Sequence, residues 1–220
     1  MHLVISPHLD DAVLGCGQWL AAHPGCTVLT LFAGVSQDAS RLTDWDARSG
    51  FGSALEAVTA RRREDQRALG LLRARARWLD FGDGQYGPSA PFSSLAAAVR
   101  EVLLEAKPSV LLYPMGLFHA DHRLAHDASV TASRGLGIEC VRLYEDVPYR
   151  GMPGVLQARL AEWAAAGLQA TPAAEQPRAG RAAKARALRL YASQRRAFGG
   201  GWPDAALPER HWQWSAAGAA

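Results

Sequence analysis

The chain has 220 residues, 49% hydrophobic and 20% charged, with a net charge of +3; this excludes disordered and fibrous classes and is enough for one domain, 1–220, with a full core. No apolar stretch approaches the roughly 18 residues that span a bilayer, and Leu3–Ile5 runs straight into charge with no preceding basic n-region, so no membrane insertion and a cytoplasmic location are expected. The three cysteines, Cys16, Cys26 and Cys140, are odd in number and contain no CxxC pair, which excludes a disulfide framework and a cysteine-based zinc site.

In chain order, "HLVIS" (2–6) reads as a short buried strand and 11–22 as a helix. "TVLTLFAG" (27–34) is a continuous, β-branched strand of the parallel-sheet kind. A polar, Gly-containing loop over 35–52 is long enough to suggest a functional segment. A helix follows over 53–70, then a strand at 76–83. "PFSSLAAAVREVLLEAKP" (91–108) is a helix with proline near its start, lysine in its last turn and proline stopping it. Next come a strand at 109–114, a helix near 120–133, a strand at 140–149, helices at 153–166 and 180–197, a surface loop at 171–180 and an irregular Gly/Trp/Pro tail. Strands alternating with helices imply a three-layer α/β/α sandwich around a mostly parallel, Rossmann-like sheet. The basic residues at Arg61–Arg63 and over 178–196 read as solvated helix faces. No zinc finger, RRM or KH signature accompanies them, so no nucleic-acid partner is expected.

Ligands of such sheets bind outside the carboxyl ends of the strands. After the first strand stand His8, Asp10 and Asp11; after "VLLYP" stand His119, Asp121, His122 and His126. Either group alone reads as an ordinary helix start, an acid favoured by the helix dipole. Brought together, they form an imidazole–carboxylate set suited to zinc, with iron, cobalt or manganese as alternatives. His126, four residues after His122, shares its helical face and gives an HxxxH spacing. "GCGQWL" (15–20) has only two glycines of a dinucleotide loop and lies beside acids that would repel pyrophosphate. Asp83, in "FGDGQYG", reads equally as a turn residue and as a ligand for sugar hydroxyls.

The motifs "SPHLDDA" and "HADH", with weaker echoes in "RRRED", "YEDVPY" and "YASQ", resemble the PIG-L/LmbE family of zinc-dependent de-N-acetylases of N-acetylglucosaminyl conjugates. The similarity runs in the right order over most of the chain. Leu9 stands for the usual proline and Ala12 for the usual glutamate; neither position is a ligand or base. The resemblance implies His8, Asp11 and His122 as ligands of zinc, with Fe(II) or Co(II) tolerated, and Asp10 as general base. It implies His119 as oxyanion stabiliser or acid, oriented and charged by Asp121, with Arg61 at the substrate and His126 at the pocket wall. The implied reaction is removal of acetate from an amino-sugar conjugate by zinc-activated water. Two rival readings are an amidase for a larger acyl or thiol conjugate, and a catalytically silent sugar- or nucleic-acid-binding module. A homo-oligomer is compatible with the sequence, which does not reveal oligomeric state.

Overall fold

Along β1 (His2–Ser6), Leu3 and Ile5 enter one hydrophobic cluster while Val4 enters another, because successive strand side chains point to opposite faces. The same alternation holds in β2 (Thr27–Thr30), with Leu29 against Val28, and in β4 (Val110–Pro114), with Leu111 and Tyr113 against Leu112. A sheet apolar on both faces must be covered on both. These relations come from a computed structural model that describes residues 1–173, 180–202 and 208–215. The middle of the surface loop expected at 171–180, residues 174–179, lies outside the described residues, as do 203–207 and 216–220 of the expected tail.

One face carries α4 (Phe92–Ala106), α5 (Ala120–Ser133) and α6 (Val155–Ala165); the other carries α1 (Asp11–Ala22), α3 (Ala54–Leu71) and α7 (Arg181–Leu188). With β3 (Arg75–Trp78), β5 (Cys140–Tyr144), β6 (Ala170–Pro172) and β7 (His211–Trp214), the strand order is β3-β2-β1-β4-β5-β7-β6. β1 to β5 pair in parallel, and β7 runs antiparallel to both neighbours. The three-layer, mostly parallel architecture is as expected. The order reverses between β1 and β4, so the segments that follow these two strands flank the crevice where such sheets bind ligands.

Several elements differ from expectation. The 35–52 segment contains a helix, α2 (Asp44–Ser49), begun by Thr43 accepting from the Asp46 N–H at 3.1 Å and ended by left-handed Gly50. The helix expected over 180–197 is two helices, α7 and α8 (Ala192–Ala197). The break has a tertiary cause. The Tyr191 hydroxyl donates to Asp65 at 2.8 Å, and Glu64 accepts from the Ser193 N–H at 3.0 Å and Oγ–H at 2.6 Å, so α3 fixes the start of α8. β6 and β7 lie where a loop and an irregular tail were read: HWQW becomes a strand because β5 offers it a free edge. Gly15 and Gly17 serve close packing. A Cβ on Gly15 would stand 2.5 Å from the Tyr144 ring, and one on Gly17 2.7 Å from the Lys184 side chain. Among the described residues no helix is long and apolar enough to cross a membrane.

Candidate active site

The backbone that leaves β1 folds back at once. Asp11 Oδ2 accepts from the His8 N–H at 3.0 Å, and Ser6 Oγ accepts from the Ala12 N–H at 2.9 Å. This holds the His8–Asp11 turn at the first turn of α1. From β4 the chain enters α5, whose N-cap is His119: its Nδ1 accepts from the Asp121 N–H at 3.2 Å. Asp121 and His122, in the first turn of α5, are thereby delivered to the same crevice as His8 and Asp11.

The two clusters meet around Asp11. Its Oδ2 lies 3.3 Å from His8 Nδ1 and 3.2 Å from His122 Nε2. Each histidine is held from behind by another carboxylate: His8 Nε2 is 3.0 Å from Asp121 Oδ2, and His122 Nδ1 is 2.5 Å from Asp146 Oδ1. Asp146 follows β5 and also accepts from the Leu117 N–H at 3.0 Å, which ties the two loops together. Among the described residues two groups of donor atoms lie mutually within 4.8 Å: His8, Asp11 and His122, and His8, His119 and Asp121. The first group is the one whose histidines both have their other ring nitrogen occupied by a carboxylate, the arrangement that fixes tautomer and orientation for a metal.

Electrostatics follow from burial and crowding. Burial and the adjacent Asp11 carboxylate push Asp10 well above the usual carboxylate range. Burial acts on Asp11 in the same direction, but His122 and His8 outweigh it and hold Asp11 ionised. Burial opposes charge on His122, yet Asp11 and Asp146 lift it to about 9; His8 is likewise raised against burial by Asp83, Asp11 and Asp121. His119 is lowered by burial and then by His8 and His122.

These residues open onto a cavity of about 400 Å³ lined by His8, Asp10, Asp11, His119 and His122, and also by Arg61 and Asp83. Arg61 is buried; it pairs with Asp46 at 2.7 Å and approaches Ser49 Oγ at 3.2 Å, while its Nε has no hydrogen-bond partner among the described residues. Asp46 in turn accepts from the Tyr86 hydroxyl at 2.7 Å. Asp83 starts the 3₁₀ turn Gly84–Tyr86, accepting from the Gln85 N–H at 3.0 Å, and its Oδ1 is 3.9 Å from His8 Nε2. It is a turn residue that also faces the site.

Two expected placements are corrected. The Asp121 carboxylate does not orient His119; it accepts from His8 and from the Gly84 N–H at 2.9 Å, because the first turn of α5 aims it across the crevice toward β1 and the 3₁₀ turn. The expected rise in the His119 pKa is absent because burial, His8 and His122 outweigh the upward pull of Asp121. His126 is not at the cavity: it is buried behind α5, its Nδ1 2.9 Å from the Pro114 carbonyl and its ring stacked on Trp163. One helical turn beyond His122 carries it past the crevice into the core under the α6 face. Residues not singled out from sequence are Asp146 and Tyr149, Trp45, Tyr86, and Gln194 and Phe198. Of these, Asp146 and Tyr149 had a signal, an acid and an aromatic just past a strand end in "YEDVPY". Gln194 had one too, as the last residue of "YASQ"; Trp45 and Phe198 had none, because their segments were read as a loop and as the end of a longer helix.

A family profile described as PIG-L, GlcNAc-PI de-N-acetylase, matches residues 3–133. A 2'-N-acetylparomamine deacetylase of Streptomyces fradiae is 32% identical over 165 residues, which cover 68% of this chain and 57% of that protein; the chain thus spans under two thirds of that relative's length. The crystal structure of an antimicrobial reagent A40926 pseudoaglycone deacetylase superposes with a TM-score of 0.78 at 27% identity, over 100% of this chain and 98% of that one. A triple mutant of a deacetylase from the teicoplanin biosynthetic pathway superposes with a TM-score of 0.76 at 27% identity, over 99% of each chain.

Proposed function

The chain belongs to the PIG-L family, and from that premise we propose that it is an amide hydrolase that removes the acetyl group from an N-acetylated amino-sugar conjugate. Similar proteins named as deacetylases of acetylated paromamine and of a pseudoaglycone support this reading. The observation that carries it is the triad His8, Asp11 and His122, with Asp121 and Asp146 gripping the far nitrogens of the two histidines. Two imidazoles and one carboxylate fit zinc, and also Fe(II) or Co(II), with coordination left over for a reactant. Bound there, zinc supplies Lewis-acid polarisation of the amide carbonyl and lowers the pKa of water toward neutrality.

The protein's own groups do the rest. Asp10 sits in the cavity wall with no capping hydrogen bond from its side chain, so its carboxylate is free to take the proton from water. Its raised pKa brings it toward the operating pH, where a general base is most effective. The same proton then goes to the departing amine. His119 accepts from the Asp121 N–H through Nδ1, which leaves the hydrogen on Nε2. A neutral imidazole held this way donates to the oxyanion that develops on the amide carbonyl. Arg61 and the Asp83 carboxylate line the cavity and are offered to substrate hydroxyl or phosphate groups.

We assign residues 1–220 to one catalytic domain acting in the cytoplasm, a setting supported by three free cysteines. The test is chelation followed by zinc addition, with acetate release from an N-acetylglucosaminide as readout. Activity should vanish and return; activity indifferent to chelation overturns the reading.

A further inference from the structure

The cavity is larger than an acetamido group requires. At about 400 Å³ it lies in the range that encloses a drug-sized ligand. Its two ends differ. Around the histidine cluster it is hemmed in by Phe32, whose ring centroid is 5.9 Å from that of His8, and by Tyr149, 5.2 Å from His122. Another part of its wall is built by Trp45, Gln194 and Phe198. Trp45 and Phe198 meet edge to face at 4.9 Å, and the Trp45 indole N–H donates to Gln194 Oε1 at 2.9 Å. The rings of this wall touch each other, Arg48 and Trp202, and make no ring contact with the histidine cluster among the described residues.

The wall is anchored, although its two halves come from segments far apart in the chain. α2, which carries Trp45, is tied to α3 by the buried Asp46–Arg61 pair at 2.7 Å. α8, which carries Gln194 and is followed directly by Phe198, is tied to α3 by the Glu64 carboxylate on Ser193. A substrate with its amide carbonyl at the histidine cluster has only the confined space between Phe32 and Tyr149 for its acyl group. The part remote from the scissile amide is then left the rest of the cavity, which Trp45, Gln194 and Phe198 line together with Arg61, Asp83 and Tyr86.

We propose that Trp45, Gln194 and Phe198 form a recognition wall for an apolar, ring-bearing aglycone of the amino-sugar conjugate. The two rings offer an aromatic surface that releases water when a flat group covers it. Because its Oε1 is engaged by Trp45, Gln194 turns its amide N–H groups toward a ligand hydroxyl. The inference rests on the deacetylase reading above and names the substrate class that this site prefers.

Acetate release from N-acetylglucosamine and from 4-nitrophenyl N-acetyl-β-glucosaminide tests it, in the wild type and in Trp45→Ala, Trp45→Phe and Phe198→Leu. The conservative pair, Trp45→Phe and Phe198→Leu, keeps the test usable if Trp45→Ala fails to fold. The wild type should favour the aryl glycoside in kcat/KM by about tenfold, mainly through KM. Trp45→Ala and Phe198→Leu should shrink that preference toward unity, and Trp45→Phe should keep part of it. Equal efficiency on both substrates, or a preference that survives every substitution, overturns the wall. Calorimetric binding of the deacetylated aryl glucosaminide separates this proposal from the reaction. Acetate release without aryl preference defeats the wall alone; aryl-selective binding that the substitutions abolish, with no acetate released, defeats the reaction alone.

Discussion

Helix α1 holds two buried charge clusters, one at its N-terminus and one along its middle, and they are built on opposite principles. At its N-terminus Asp10 and Asp11 sit side by side, both buried, with two histidines shared among three carboxylates, Asp11, Asp121 and Asp146. One helical turn or two further on, Lys184 and Glu209 form a pair at 2.8 Å that is closed on itself. Glu209 accepts from the Gln18 N–H at 2.7 Å and the Trp19 N–H at 3.2 Å, Lys184 donates to the Leu14 carbonyl at 2.5 Å, and His211 Nε2 lies 3.1 Å from the Gly15 carbonyl. The Leu14 carbonyl and Gln18 N–H, and the Gly15 carbonyl and Trp19 N–H, are successive i, i+4 partners of the helix ladder, and all four are engaged by side chains from the C-terminal segment. The second cluster is charge-balanced, with both Glu209 oxygens engaged; the first carries crowded like charges and an acid without a capping bond. Saturation holds a fold together, whereas crowding keeps groups ready to bind a cation or take a proton.

The largest effect should come from the crowded end. Asp10→Asn should lower kcat for acetate release by about 10²–10⁴, while its urea midpoint holds or rises, because an ionised carboxylate whose folded pKa is raised costs stability at neutral pH. A large loss of stability in this variant would erase the contrast. At the saturated end the outcome should invert. Glu209→Ala strands Lys184 and should cost about 3–5 kcal/mol in urea denaturation, with kcat of the folded protein retained; adding Lys184→Met should recover part of that cost. A catalytic loss without destabilisation would show that the pair belongs to the site.

Asp146→Asn should weaken zinc affinity by about 10–100-fold, read by competition with a chelating dye, with the melting temperature little changed. The most gradual effect is one of pH. His126 and His211 are buried, and burial lowers them to about 3 and about 4. Because their folded pKa values lie below the unfolded value, the unfolded chain takes up the protons first. The stability they confer is whole above about pH 6.5 and is lost as pH falls toward 4, by about 1 kcal/mol per pH unit for each histidine. Urea midpoints between pH 7 and 5 check this. A flat profile would mean that neither imidazole is kept neutral by the fold.

Much of the site was legible because it is local. His8, Asp10 and Asp11 fall within one turn, as do His119, Asp121 and His122, and each turn follows a strand whose apolar run is unmistakable. That both clusters converge followed from the rule that ligands bind at strand carboxyl ends; that β1 and β4 are neighbours is what makes them touch. The partners of the histidines were another matter. Asp121 was read toward the nearest histidine in sequence, but a helical first turn points its carboxylate across the crevice to His8. His126 shares a face with His122 in helical projection, yet the crevice ends within one turn and the core begins.

By itself the sequence determined the parallel sheet, the helices α1, α3, α4 and α5, and the two acid–histidine turns, because each rests on apolar periodicity, capping residues or spacing within a few positions. Only the tertiary structure decided the division of 180–197 into two helices, the recruitment of HWQW as a strand, the carboxylate behind each histidine, and the wall of Trp45, Gln194 and Phe198. Each of these depends on a partner distant in the chain: Glu64 on Ser193, β5 on β7, Asp146 on His122, Trp45 on Gln194. Hydrogen bonds of that reach leave no periodic trace in the residues that make them.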